Sequence, residues 1–207
     1  YLLKINGGKN RIAYYSKSIH ESITNDFVIK IHEKKQYHYL ENIRRNTVQL
    51  KTGVGRLINE LSNKNVRQFI VTSSSKKQVD LLIQHLFNDF NPFDFIISSE
   101  DVKFQKPNPE PYLKAIRLSG IRNRNSIVFE DSNQGLKSSI TANLPTIYVP
   151  SNIPTNVDEN IKLECIIECL GDKNKMANII KGPKINKNYI DYSFLNNYLM
   201  SIDNAKH

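Results

Sequence analysis

Three short stretches carry the side chains that could do chemistry. They are Thr72-Ser73-Ser74-Ser75-Lys76-Lys77, the Lys106 loop Phe104-Gln105-Lys106-Pro107-Asn108-Pro109-Glu110-Pro111, and Glu130-Asp131-Ser132-Asn133-Gln134-Gly135. Hydroxyls and backbone N–H groups that lead into a helix suit a phosphate group; the ordinary alternative is a serine N-cap. Lys106 lies among three prolines, which fix the backbone and aim the ammonium. An ammonium held in this way neutralises phosphate charge as a point cation; the alternative is a solvated loop lysine. Adjacent carboxylates at the end of a buried strand are costly without a cation nearby. Mg²⁺, bound by one or two carboxylates plus water and phosphate oxygens, meets that need for Glu130 and Asp131. The alternative for this pair is an acidic helix N-terminus.

These residues gain meaning from the elements around them. Val54, Leu57, Ile58 and Leu61 fall on one helical face, and Val79, Leu82, Ile83 and Leu86 on another. Between them Phe69-Ile70-Val71 reads as a short buried strand. Phe93 to Ile97, Ile127 to Phe129, Thr146 to Val149 and Leu163 to Ile167 read as further strands. Helices are expected from Pro109, after a capping Asn108, to Ser119, from Gln134 to Ala142, and from Phe194 to Ile202. Helices alternating with strands at this spacing predict an α/β fold with a mostly parallel sheet. Such sheets build their sites at the carboxyl ends of the strands, where all three stretches fall. The first 46 residues contain no strand run: Ile12, Tyr15 and Ile19 mark one helix and Ile29 to Arg45 a longer one. The expected division is a small helical unit over residues 1–47 and an α/β core over 48–207.

Composition narrows the function classes. Lys and Arg number 29 against 20 Asp and Glu, a net charge of +9. The basic residues are dispersed, without a like-charged block or an aromatic-interleaved stripe, which argues against nucleic acid. No apolar run approaches the length of a membrane helix. Cys165 and Cys169 are too few for a disulfide framework and lack a second ligand pair for zinc, so a reducing compartment is expected.

The order Ser, Lys-Pro, Glu-Asp at three successive strand ends resembles motifs two, three and four of the haloacid dehalogenase (HAD) superfamily. The stretches TSSSK, QKPNPEPY and FEDSNQGL resemble its CbbY/β-phosphoglucomutase-like branch. Asn6-Gly7-Gly8-Lys9-Asn10-Arg11-Ile12 is similar to the Gly-Gly-Lys-x-Arg segment of that branch's helical cap. Leu50-Lys51-Thr52-Gly53-Val54 resembles its re-entry into the core, with Lys and Thr in place of Arg and Pro, and Leu170-Gly171-Asp172 matches the same group. Asn143 stands where the family usually has Gly.

The resemblance implies a Rossmann-like HAD core with part of a helical cap. It also implies Mg²⁺-dependent phosphoryl transfer through an aspartyl-phosphate on a small-molecule sugar phosphate or bisphosphate, xylulose 1,5-bisphosphate being the type. Ser73 would bind the transferring phosphoryl oxygen and Lys106 would offset its charge. Glu130 and Asp131 would hold the metal, Asp131 most directly. Ser75, Lys76 and Lys77 would reach the substrate, and Lys9 and Arg11 would bind its far end from the cap. A cytoplasmic or stromal monomer with no nucleic-acid or membrane partner is expected. The alternatives are a hexose-phosphate mutase and a non-catalytic phospho-ligand binding protein. One departure is large: the family's first motif, Asp-x-Asp, occurs nowhere in the 207 residues. About 40–50 residues bearing that motif are expected upstream. Their strand is expected between the strands ending at Val71 and Phe129, and the chain alone is expected to be silent.

Overall fold

The structure is a computed structural model and describes residues 8–19, 24–45, 47–88, 90–151 and 157–204. Two helices open the described chain, α1 (Gly8–Ser18) and α2 (Asn25–Arg44), packed on one another. Thr24 caps α2, its hydroxyl accepting from the Phe27 N–H. There follow α3 (Val54–Asn63), β1 (Phe69–Val71), α4 (Lys76–Phe87), β2 (Phe95–Ile97), α5 (Glu110–Ser119) and β3 (Val128–Glu130). The chain continues with α6 (Asn133–Thr141), β4 (Thr146–Tyr148), β5 (Cys165–Cys169), β6 (Asn178–Lys181) and α7 (Tyr192–Asn204).

The periodicities place every expected element, with most boundaries moved by a residue or two. One shift is larger: the long helix expected from Ile29 starts four residues earlier, at Asn25. The strand expected from Phe93 starts at Phe95. Asn91 accepts a bond from the Phe93 N–H, and Asp94 is bonded to Gln68, so this segment is a turn into the strand. At α5 the capping residue is Pro109, and Asn108 contributes by accepting from the Glu110 N–H. Gly120 ends that helix at φ 69°, a left-handed conformation that favours glycine. Strand β6, which pairs antiparallel with β5, has no counterpart among the expected elements.

The strands form two sheets. β1 pairs in parallel with β2; β3, β4 and β5 run parallel in a second sheet that β6 closes. The expected single parallel sheet is therefore split between β1 and β3, each of which has one strand neighbour among the described residues. Phe129, at the middle of β3, is left 37% exposed. The larger core lies beneath the second sheet, where Leu57 and Leu61 of α3 meet Ile147, Cys165, Ile167, Phe194, Leu195 and Tyr198. On the other side Tyr112, Ala142 and Leu144 pack with Val71, Ile116 and Val128, so helices cover both faces. Burial alone raises the Cys165 thiol to about 12, which keeps it a small core residue.

Two stretches distant in sequence meet where the chain enters the core. Gly53 adopts φ 85°, and a Cβ there would strike the backbone of Gly171. Arg56, one turn on, donates to the carbonyls of Gly171 and Ile190, to Glu60, and stacks 4.3 Å over the Tyr189 ring. The re-entry segment and Leu170-Gly171-Asp172 are thus one close contact.

The loop that follows β4 is tied to α6 by Lys137 and Asp158 at 2.6 Å. That bond, with two from Asn160, holds the Asp158 carboxyl at about 2. A depressed carboxyl stabilises the fold above its unfolded value near 4 and loses that contribution as pH falls through the folded value. Between pH 4 and 2 the melting temperature of the chain should therefore fall more steeply than that of Asp158→Asn. Parallel curves by circular dichroism would show that this pair is decoupled from folding.

Candidate functional site

The carboxyl ends of β1 and β3 face a loop that the sequence describes only as proline-rich. Lys106, far from being a solvated loop residue, is 8% exposed. Its ammonium donates to the Val71 carbonyl at the end of β1 (2.8 Å), to the Tyr112 hydroxyl (3.1 Å) and to Glu130 Oε1 at the end of β3. Tyr112, on the first turn of α5, in turn donates to the same Glu130 oxygen. One buried side chain thus bridges the two sheets. Pro109 opens α5 and so places Tyr112 under the loop. Burial first, and then the charge of Glu130, push the Tyr112 hydroxyl well above its ordinary range, so it stays a donor at all working pH.

Glu130 and Asp131 divide the work because successive residues leaving a strand point to opposite sides. Glu130 is 7% exposed, and Asp131 is exposed. The Glu130 carboxylate lies against the first turn of α6, with Ser132 3.4 Å from Oε2. Only glycine fits beside it: a Cβ at Gly135 would collide with the carboxylate. Ser132 also caps α6 by accepting from the Gly135 N–H at 3.0 Å.

Beyond β1 the chain turns through Ser73 and Ser74, both exposed. Ser74 is fastened on both sides: its N–H donates to the Thr72 hydroxyl and its carbonyl accepts from the Ser99 N–H. Ser75 is a helix cap, its hydroxyl accepting from the Gln78 N–H while the Gln78 side chain accepts from the Ser75 N–H. This closed capping box occupies the Ser75 side chain and leaves Lys76 and Lys77 exposed at the head of α4. The same corner is braced by Glu100, which accepts from the Lys76 N–H, and by Asp101, which accepts from both the N–H and the hydroxyl of buried Ser98. The two bonds from Ser98 hold the Asp101 carboxyl below the usual carboxylate range.

The structure therefore brings Ser73, Lys106, Glu130 and Asp131 to neighbouring strand ends. Lys9 and Arg11 lie on the first turn of α1, and Asn6 and Gly7 of the same motif lie outside the described residues. Tyr112 is the participant that residue reading missed. Its signal was its place six residues after Lys106, at the start of a helix that packs against β1.

Whether a metal fits here turns on the donor set. Glu130 Oε1 is taken by Lys106 and Tyr112, while Asp131 stands open at the mouth. Among the described residues no group of three or more His, Cys, Asp or Glu is gathered for a metal. Mg²⁺ keeps several waters and accepts one carboxylate with phosphate oxygens, so Asp131 suits it where it would not suit zinc. A cavity of about 170 Å³ bounded by Ile140, Pro145, Tyr198 and Ile202 lies at the opposite, amino end of β4 and contains none of these groups.

Comparison with known proteins identifies the family and the fold. Residues 5–149 match the haloacid dehalogenase-like hydrolase family. Protein CbbY of Rhodobacter capsulatus is 31% identical over 152 residues, 72% of this chain and 67% of that protein. The crystal structure of CbbY from Rhodobacter sphaeroides in complex with xylulose-(1,5)bisphosphate superimposes with a TM-score of 0.70 at 25% identity, covering 81% of this chain and 75% of that one. β-Phosphoglucomutase from Clostridium difficile shares the fold, with a TM-score of 0.71 at 17% identity over 97% of this chain and 80% of that one. With its motifs at the expected strand ends, the chain belongs to the haloacid dehalogenase-like hydrolases, in their CbbY/β-phosphoglucomutase-like branch.

Proposed function

We propose that this chain serves a Mg²⁺-dependent phosphatase acting on a small sugar phosphate or bisphosphate. The observation that carries the reading is the Lys106 ammonium, lodged between the ends of β1 and β3, with exposed Ser73 two residues past β1 and exposed Asp131 next after β3. Buried cationic charge next to exposed hydroxyl and carboxylate groups is what a phosphoryl group and its metal require. In this reading Ser73 donates to a phosphoryl oxygen, and Lys106 offsets phosphoryl charge while Glu130 holds it in place. Asp131 would hold Mg²⁺, which when bound supplies further neutralisation of phosphate charge. Glu130 serves as the counter-ion of Lys106 before it serves the metal. Lys76 and Lys77 approach the sugar phosphate from the head of α4. Residues 1–47 form part of a cap over the core of residues 48–207, with Lys9 and Arg11 reading a distal phosphate. The CbbY complex with xylulose-(1,5)bisphosphate supports a bisphosphate as substrate. The hexose-phosphate mutase reading rests on a likeness of fold.

Calorimetric titration with inorganic phosphate, with and without Mg²⁺, tests the site. Wild-type chain should bind phosphate more tightly with Mg²⁺ present. Asp131→Asn should abolish that enhancement while retaining metal-free binding. A lost charge-assisted bond of roughly 1.5–3 kcal/mol corresponds to about a 10- to 150-fold change in affinity. Absence of phosphate binding, or an enhancement indifferent to Asp131, would overturn the assignment.

A further inference from the structure

Lys106 has a problem that its partners must solve. An ammonium fully neutralised by a buried carboxylate has little charge left for a phosphoryl group, yet a buried ammonium without the carboxylate is costly. The structure places one further group on the same carboxylate oxygen: Tyr112, 5% exposed, whose hydroxyl accepts from Lys106 at 3.1 Å and donates to Glu130 Oε1. The Lys106 ammonium also lies 4.7 Å from the centre of the Tyr112 ring, so ring and hydroxyl both hold it. A tyrosine donating to the carboxylate draws off part of its charge and competes with the ammonium for it.

We propose that Tyr112 is a positioning residue for the phosphate site: it shares Glu130 with Lys106 and so keeps the ammonium at the strand ends, available to a bound phosphoryl group. This rests on the phosphatase reading above and adds a residue to it. Tyr112 touches neither substrate nor metal; it acts through Lys106 and Glu130. Without its hydroxyl, Glu130 Oε1 has Lys106 as its remaining strong donor, and the undiluted carboxylate charge takes up more of the ammonium's charge, leaving less for a bound phosphoryl group.

The test is the affinity of the 207-residue chain for inorganic phosphate in Mg²⁺, measured for wild type, Tyr112→Phe, Glu130→Gln and the double variant. Tyr112→Phe should weaken phosphate about tenfold. In the Glu130→Gln background, where no carboxylate competes, the same change should matter less than twofold. A packing role would give equal effects in both backgrounds, and that result overturns the proposal. An unchanged affinity in Tyr112→Phe overturns the role of Tyr112 and leaves the phosphate site standing. Failure of the wild type to bind phosphate overturns the site and the proposal together. Should any variant not fold, 3-fluorotyrosine placed at position 112 of the otherwise unchanged chain is the readout. Saturation with phosphate should shift its fluorine resonance, and a resonance that stays put overturns the proposal.

Discussion

Exchange of Lys106 for Met should lower the unfolding free energy by about 3–5 kcal/mol, the usual loss when one partner of a buried ion pair is removed. The side chains of Lys106 and Glu130 are 10% and 6% exposed, so solvent screening is slight. Without the ammonium, Glu130 keeps a buried charge with Tyr112 as its remaining strong donor, and the Val71 carbonyl loses a partner at the end of β1. For a domain stabilised by roughly 5–15 kcal/mol, such a loss unfolds a measurable fraction at room temperature. A second change, Glu130→Leu, removes the stranded charge, and the Lys106→Met/Glu130→Leu chain should recover most of the deficit. Urea unfolding of the three chains measures both effects. A single variant within about 1 kcal/mol of wild type would mean that the ammonium is solvated and the two sheets are joined by something else.

The 207 residues on their own should release no phosphate from p-nitrophenyl phosphate or xylulose 1,5-bisphosphate, with or without Mg²⁺. Covalent phosphoryl transfer needs a free carboxylate in line with phosphorus. At the strand ends Glu130 is spent on Lys106 and Tyr112, and Asp131 is the group suited to the metal. The sequence holds no Asp-x-Asp pair. The split between β1 and β3 points the same way, since each strand has a neighbour on one side among the described residues. Strand edges left without a partner among the described residues are templates for pairing with another chain, so association that grows with concentration should accompany the lack of turnover. Phosphate release measured beside sedimentation velocity decides the matter. Mg²⁺-dependent hydrolysis by a monomeric chain would overturn the prediction and require a nucleophile elsewhere in the molecule.

Much of this molecule was legible before its structure. Helical spacing at Val54-Leu57-Leu61 and Val79-Ile83 located α3 and α4, and short apolar runs located β1 and β3, because periodicity is set by neighbours a turn or a pleat apart. Gly120 and Pro109 marked the ends of α5 through backbone geometry that is theirs alone. The placing of Ser73, Lys106 and the Glu130-Asp131 pair at successive strand ends followed from the α/β alternation. The fold class and the branch of the family were therefore carried by local pattern and motif order.

Other features waited on the tertiary structure. Asn178–Lys181 shows no alternation that would mark a strand, and it becomes β6 because β5 offers it an edge. Ser75 is expected at the substrate, and the fold gives it in addition the cap of α4, its hydroxyl accepting from the Gln78 N–H. Glu130 and Asp131 were one acidic pair in the sequence. Folding turned the first toward Lys106 and Tyr112 and left the second at the surface. Lysine is by type a surface residue, and although the flanking prolines mark Lys106 as held, they do not say that it is buried. Its burial depends on Val71, 35 residues before it, and on Glu130, 24 residues after it. Contacts across such distances form when the sheets and helices assemble. Apart from β6, the sequence by itself determined the elements and the strand ends, and the packing of those elements decided which charges met and which faced the solvent.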